Sequence, residues 1–262
     1  ILTGFEKYLK QSGITNYPVH FKLDTGMRRL GFEQKDVEEL CDRLKATAVF
    51  KIQSVFSHLA ASDSEKHDTF TKIQAEAFLE GCEKIQGITG YTFIRHIANT
   101  SAIHRHKDLQ LDMVRLGIGL YGVDADPAVQ QQLKNVTTLK TTISQIKKIK
   151  KGESVGYSRK GMATKNSVIA TVRIGYADGY PRLLSNGTGK MLVNGKPAPV
   201  IGNVCMDMTM LDITGIDANE GDEVTVFGEG LPVGDLASLA QSIPYEILTG
   251  ISQRVKRVYY EE

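Results

Sequence analysis

Residues 19–60 read VHFKLDTGMRRLGFEQKDVEELCDRLKATAVFKIQSVFSHLA. The ends of this stretch, VHFKLDT (19–25) and VFKIQSVFSHLA (49–60), have the composition of strands, and His20 to Asp24 alternates polar with apolar side chains. Between them, EQKDVEELCDRLKA places Val37, Leu40 and Leu44 on one helical face. A strand, a helix and a second strand of these lengths indicate parallel pairing with a crossover helix. The first strand is odd at its end. It carries Lys22 and Asp24, breaks at Gly26, and continues into Arg28 and Arg29. A purely structural sequence has little reason to collect so many desolvation penalties in one place.

The same alternation extends outward. GFEKYLKQSGI (4–14) is an amphipathic helix ending at Gly13, and SEKHDTFTKIQAEAFLEGCEKI (64–85) is another. YTFIRHIANTSA (91–102) reads as a strand, and LDMVRLGIGLYG (111–122) as the strand that closes this part. Then the pattern changes. VTTLKTTISQIKKIKKGE, SVIATVRIGYADG, GKMLVNGKPAPVIGNVCMDMTMLDI and GDEVTVFGEG alternate with glycine-bearing turns such as Asn194-Gly195, as antiparallel strands do. One helix, VGDLASLAQSI, is expected near the end. The expected class is α/β plus β, with a boundary near residue 128: an α/β domain over 1–128 and a mostly antiparallel β domain over 129–262. Four βα units are half of a (β/α)₈ barrel. Either the sheet is open and doubly wound, or the first half of a barrel is absent from this chain.

Composition narrows the function classes. A net charge of +2 gives no electrostatic footprint for nucleic acid or an anionic membrane. No apolar run approaches the roughly 18 residues of a membrane span. Cys41, Cys82 and Cys205 are odd in number and widely spaced, which fits a reducing cytoplasm and no zinc site. Gly117, Gly119 and Gly122 spell GxGxxG, but the acidic residue a dinucleotide site needs about 20 positions on is missing. The single Asp24-Thr25-Gly26 lacks the second carboxylate of an aspartic protease, and IKKIKKGE reads as a solvated face.

In a barrel, chemistry gathers where strands finish. Those ends carry Lys22 and Asp24, then Ser57-His58, then Asn99-Thr100-Ser101, then Arg115 and Gly117. As the last four strands of eight, they would put the ANTSA and RLGIG turns where a phosphate commonly binds. Thr100 offers a hydroxyl, and Gly117-Ile118 offers unhindered N–H groups. No carboxylate cage for Mg²⁺ is present, so a tightly held cofactor phosphate suits these donors better than a nucleotide.

HFKLDTGMRRLGF, FSHLA, HIANTSA, MVRLGIGLYG, SVGYS, IGYADGYPR and GNVCMDMTMLD, in this order, resemble alanine racemase, a fold-type III pyridoxal 5′-phosphate enzyme. The resemblance runs through nearly the whole chain. It implies an N-terminal (β/α)₈ barrel, here its last four strands, and a C-terminal β domain in a head-to-tail homodimer with shared active sites. The implied activity is interconversion of L- and D-alanine by two bases, in the cytoplasm, supplying D-alanine for peptidoglycan. Thr100, Gly117 and Ile118 match phosphate-binding positions, and Arg115 matches the arginine facing the pyridine nitrogen. Since arginine keeps its proton, that nitrogen stays unprotonated and the electron sink is weakened. His58 matches a histidine lining the ring and bonded to Arg115.

Arg29 matches the arginine that reaches the cofactor's phenolic oxygen and the substrate carboxylate. Lys22 matches a lysine often carbamylated in the family, an anion that orients Arg29. Tyr157 matches the tyrosine base, whose phenolate needs a stabilising neighbour such as an imidazole. Met206 matches the residue whose N–H meets the substrate carboxylate, and Tyr176 matches a wall of the access channel. Three departures stand out. The lysine that forms the Schiff base, in a Lys-Ala-Asn-x-Tyr-Gly motif, has no counterpart in these residues. Gln253 replaces a tyrosine that touches the phosphate, and Asn203 replaces an arginine near the channel. The chain is therefore expected to be the C-terminal portion of a longer enzyme. The alternatives are a non-catalytic pyridoxal-phosphate-binding module and an inactive truncated fragment.

Overall fold

The computed structural model describes residues 1–260. The chain divides into two compact units, one of residues 1–120 and 124–133, the other of 121–123 and 134–260 among those described.

In the first unit the elements run α1 (Leu2–Gln11), β1 (Tyr17–Lys22), α2 (Val37–Lys45), β2 (Phe50–Phe56), α3 (Asp68–Thr89), β3 (Ile94–His96), α4 (Thr100–Arg105) and α5 (Pro127–Gln130). The strands pair in parallel in the order β1-β2-β3. Val37, Leu40, Cys41 and Leu44 of α2 are buried, an i, i+3, i+4, i+7 stripe that fixes the face turned to the core. Phe21, Phe50, Ile52, Val55, Phe78 and Ile85 join them there. Lys22 pairs with Phe56, and Phe56 with His96, so the three strand ends line up in register.

The expected fourth strand over 111–122 is not formed. Leu111 takes a left-handed φ of 49°, and residues 118–121 coil into a short 3₁₀ turn. Two backbone bonds, Asp112 N–H to Arg95 O (3.2 Å) and Arg115 N–H to Ala98 O (3.0 Å), carry the segment along β3. They are three residues apart, whereas a parallel ladder repeats every two. The strand expected over 91–102 is likewise short, because Asn99 caps α4 by accepting from Ala102 N–H at 3.1 Å.

The second unit contains β4 (Leu139–Ile149), β5 (Ser154–Val155), β6 (Gly161–Met162), β7 (Ser167–Val172), β8 (Lys190–Val193), β9 (Lys196–Pro199), β10 (Thr209–Asp212), β11 (Glu223–Phe227), α6 (Val233–Leu239) and α7 (Pro244–Gly250). Six strands pair antiparallel in the order β10-β7-β4-β11-β8-β9. Val200, just past β9, bridges Leu211 of β10, and Ile201 N–H donates to Met210 O at 2.9 Å, so the strip nearly closes on itself. Asn194 and Gly195 turn the β8–β9 hairpin with positive φ at both positions. Where one helix was expected near the end there are two, because Pro244 opens α7 at its first turn.

Candidate active site

The odd end of β1 has a structural answer. The loop after Lys22 folds back on the strand: Phe32 N–H donates to Lys22 O and Asp24 N–H to Phe32 O, both at 2.8 Å. Gly31 makes this possible, with φ at 130° and no room for a side chain, since a Cβ would lie 2.7 Å from Asp24 N. Asp24 Oδ1 accepts from the backbone N–H of Gly26 and of Arg28, each at 3.0 Å. Burial pushes the Asp24 carboxyl up, but those two N–H donors and the cations at Arg28 and Lys22 outweigh it and hold it below its ordinary range. Thr25 Oγ1 and Ser57 Oγ lie 2.8 Å apart, and Ser57 Oγ donates to Leu23 O at 2.7 Å, tying the ends of β1 and β2 together.

Lys22, Arg29, His58 and Arg115 converge above these strand ends. The Lys22 ammonium is held below its ordinary value by burial first and by Arg29 next, with Arg115 adding and Asp24 opposing. His58 is likewise lowered by burial, then by Arg115, Arg29 and Lys22. Arg29 is exposed and shares a cleft with Lys22 and His20. The cations that lower Lys22 and His58 create a field that favours an anion.

Arg115 is the most heavily bonded of them. Nη1 meets His96 Nδ1 at 2.6 Å and His96 O at 3.2 Å. Nη2 donates to Ser57 O at 2.7 Å and approaches Ile97 O and His58 Nδ1 at 3.3 and 3.5 Å. Its guanidinium carbon lies 5.5 Å from the Phe56 ring centre. Burial lowers the Arg115 pKa, yet a guanidinium stays charged. The terminal nitrogens are committed to strand-end groups, which leaves Nε–H as the donor that the described residues do not engage.

Thr100, 7% exposed, opens α4, and its Oγ1 accepts from Gly117 N–H at 2.9 Å and contacts Gly119 N at 3.5 Å. The Gly117 N–H is thus tied to Thr100 rather than unhindered, because the 3₁₀ turn brings it over the hydroxyl. Ile118 is buried beside it. With its oxygen taken up by the Gly117 and Gly119 N–H groups, the Thr100 hydroxyl still has its own proton to give a small oxyanion.

The remaining candidates belong to the second unit. Tyr157 is exposed and heads a tight turn in which Gly156, Ser158 and Arg159 all have positive φ. It lines a cleft of ≈ 670 Å³ with Val155, Cys205, Asp207 and Met208. Tyr176 N–H donates to Cys205 O at 3.0 Å and Ala177 N–H to Met206 O at 2.9 Å, so Tyr176 and Met206 lie on adjoining loops. Gly175 permits that approach, for a Cβ there would stand 2.3 Å from Cys205 O. Gln253 is exposed. Among the described residues no group of three or more His, Cys, Asp or Glu could hold a metal, and no helix is long and apolar enough to cross a membrane.

Some residues gain a role that their sequence did not show. His96, Ser54 and His20 form the row behind Arg115, and their signal is period two: each is a polar residue two positions before, or at, a strand end. Asn203, buried, donates from Nδ2 to Tyr157 O at 3.2 Å and accepts from Asn186 Nδ2 at 3.0 Å. It therefore braces the Tyr157 turn. Asp178 holds the Tyr176 loop, accepting from Gly175 N–H at 2.9 Å and Arg254 Nε at 2.7 Å.

A parallel βα unit with polar groups gathered at its strand ends, followed by an antiparallel β unit, defines the class of protein, and comparison with known proteins names the family. Residues 5–125 match the family profile "Alanine racemase, N-terminal domain" and residues 136–259 match "Alanine racemase, C-terminal domain". An alanine racemase of Clostridium tetani is 38% identical over 254 residues, covering 93% of this chain and 65% of that protein. Alanine racemase 2 of Caldanaerobacter subterraneus is 38% identical, covering 98% and 70%. Among solved structures, the alanine racemase of Streptomyces lavendulae superposes with a TM-score of 0.92 at 31% identity, over 100% of this chain and 70% of that one. That of Bartonella henselae, solved with covalently bound pyridoxal phosphate, gives 0.86 at 32% identity, over 98% and 70%. The chain belongs to the alanine racemase family. It spans about two thirds of the length of the curated relatives it matches, 65% of the Clostridium tetani protein.

Proposed function

We propose that the chain serves the pyridoxal-phosphate-dependent interconversion of L- and D-alanine, a cytoplasmic reaction that supplies D-alanine for peptidoglycan. The first unit is read as the last four positions of a (β/α)₈ barrel, residues 1–128, and the second as the β domain, residues 129–262. The observation that carries the reading is Arg115: its terminal nitrogens are held by His96, Ser57 and Ile97, leaving a permanently protonated Nε–H. Such a donor suits an unprotonated pyridine nitrogen.

The residues present fit that cofactor. Thr100, Gly117 and Ile118 would hold its phosphate, Arg29 its phenolic oxygen, and His58 would line its ring. When bound, pyridoxal phosphate supplies the electron sink that makes the α-hydrogen of an amino acid acidic. The rest is done by side chains. Arg29 and the Met206 N–H orient the alanine carboxylate, with Lys22, carbamylated, steadying Arg29. Tyr157 Oη takes the proton from Cα on one face or returns it there, and Tyr176 walls the channel. A second base works the opposite face. In a homodimer, Tyr157, Tyr176 and Met206 of one protomer would serve the cofactor residues of its partner.

The test is to load the protein with pyridoxal phosphate, reduce with borohydride, and map the labelled peptide by mass. An adduct on one lysine, together with conversion of L-alanine to D-alanine by the unreduced protein, supports the reading and identifies the second base. If that lysine lies within residues 1–262, the cofactor lysine has moved from the family's position. No specific adduct and no conversion in the longest polypeptide that carries this chain would sink the proposal.

A further inference from the structure

A row of polar side chains crosses the sheet of the first unit behind Arg115, and the directions of its first two bonds are determined. Arg115 Nη1 can only donate. His96 Nδ1, 2.6 Å away, must therefore be an acceptor without a proton. His96 is 5% exposed, and burial followed by the Arg115 charge keeps the ring neutral until pH falls to about 4. Its proton consequently resides on Nε2, which donates to Ser54 Oγ at 3.0 Å. Ser54 is buried at 1% exposure, and its Oγ stands 2.7 Å from His20 Nδ1. Having accepted from His96, the hydroxyl has its own proton free to give onward to that nitrogen. His20 and Ser54 are register partners on β1 and β2, so the backbone itself sets this contact.

The His96 ring is also stacked on Phe56, centroids 5.1 Å apart and planes 1° from parallel, while Arg115 covers the same Phe56 ring. Tilting the imidazole would break the stack, and flipping it in its own plane would set Cδ2–H against the guanidinium in place of Nδ1.

We propose that Ser54 and His20 are positioning residues: by accepting the His96 Nε2–H and passing the polarity on, they hold His96 in the tautomer that presents a bare Nδ1 to Arg115. The row thereby decides which N–H of Arg115 is left over to meet a ligand. With the opposite tautomer, two donors would face each other at 2.6 Å, the guanidinium would swing away from His96, and Nε–H would no longer be the spare donor. The inference deepens the racemase reading and rests on it only for the identity of that ligand.

The test is ¹⁵N spectroscopy of the histidine-labelled chain near neutral pH, without cofactor or substrate. The expected spectrum gives His96 one protonated Nε2 and one unprotonated, acceptor-type Nδ1. Ser54→Ala should lose this single tautomer, the two ¹⁵N shifts moving toward each other, and Ser54→Thr, which keeps the hydroxyl, should restore it. His20→Phe removes the terminal acceptor and should move the shifts the same way by less. Unchanged His96 shifts in Ser54→Ala, or a wild-type Nδ1–H, would overturn the proposal. Should Ser54→Ala fail to fold, His20→Phe, at an exposed position on an edge strand, decides alone. Since no cofactor is added, failure of this row and failure of the racemase reading are separate results.

Discussion

In the second unit the strip β10-β7-β4-β11-β8-β9 bends round until Val200 bridges Leu211, whereas in the first the sheet β1-β2-β3 leaves β1 and β3 as edges. The closed strip supplies its own interior. Met191, Val193, Leu211, Val224 and Val226 are all shielded from solvent by its own strands and helices. The open sheet leaves a groove of ≈ 1020 Å³ beside β1, lined in part by Phe5, Tyr17, Val19, Phe21, Leu30 and Phe32. The same contrast holds for the candidate chemistry. The open parallel sheet carries it on strand ends, where register aligns Lys22, Phe56 and His96. The closed antiparallel sheet carries it on loops braced by Asn203 and Asp178.

The largest expected effect tests this contrast directly. Leu211→Ala, at 0% exposure in the closed unit, should destabilise that unit by about 2–5 kcal/mol. In denaturant, the first unit is expected to open before the second, so the substitution should lower the later transition and leave the earlier one in place. Amide exchange gives the same ranking independently: β4, β7 and β11 should outlast β1. Faster exchange in β4 than in β1 would break the comparison.

The next effect belongs to the open unit. His96 is neutral in the folded chain down to pH about 4, against a free imidazole value of about 6.5. Between those values the unfolded chain binds the extra proton and the folded one does not, so stability rises with pH across the window and levels off above it. The full span of such a shift corresponds to roughly 3 kcal/mol. His96→Gln should flatten the stability profile between pH 4 and 6.5 while leaving the second unit's transition untouched. A slope in that window that persists in the variant would assign it to other groups.

Much of this was legible because strand and helix periods differ so plainly. VHFKLDT, VFKIQSVF and the stripe Val37, Leu40, Leu44 fold as their spacing predicts. The segment over 111–122 misled because DMVRLGIG is apolar enough for a strand, yet its backbone turns left-handed at Leu111 and coils at Ile118. Thr100 and Arg115 were visible as polar residues at strand ends, and the family motifs singled out Tyr157, Tyr176 and Met206. His20, Ser54 and His96 were not, since a lone polar residue inside a strand becomes meaningful only when the folded sheet brings three such side chains within hydrogen-bond reach. Asn203 looked like a departure from a familiar motif, and its bracing role depends on a loop contact 46 residues away.

That loop contact brings the smaller effects. Gly175→Ala would set a Cβ 2.3 Å from Cys205 O and 2.5 Å from Met206 C, both backbone atoms that cannot give way cheaply. A loss of about 1–3 kcal/mol is expected, read as a lower melting midpoint, together with faster exchange of the Tyr176 and Ala177 amides. An unchanged midpoint would mean that the Cys205–Met206 loop adapts freely.

Smallest in stability, and sharpest for the site, is Asn203. Removing it leaves Tyr157 O and Asn186 Nδ2 without their partners, but the Tyr157 turn is exposed and water replaces part of what is lost. Asn203→Ala should therefore lower stability by only about 1 kcal/mol. The turn itself should respond more. Ser158 and Arg159 have φ of 56° and 53°, which non-glycine residues adopt only when their surroundings hold them there. The Arg159 and Lys160 amides, which bond back to Gly156 O and Tyr157 O at 3.3 and 3.4 Å, should exchange faster once the brace is gone. Asn203→Asp separates the two contacts, because a carboxylate still accepts from Asn186 but has no N–H to give Tyr157 O. Loosening in Asn203→Asp equal to that in Asn203→Ala would assign the brace to the Tyr157 carbonyl bond. An Asn203→Asp turn as slow to exchange as the parent would assign it to Asn186 instead, and the closed unit would then hold its tyrosine by loop packing rather than by a bond to the tyrosine itself.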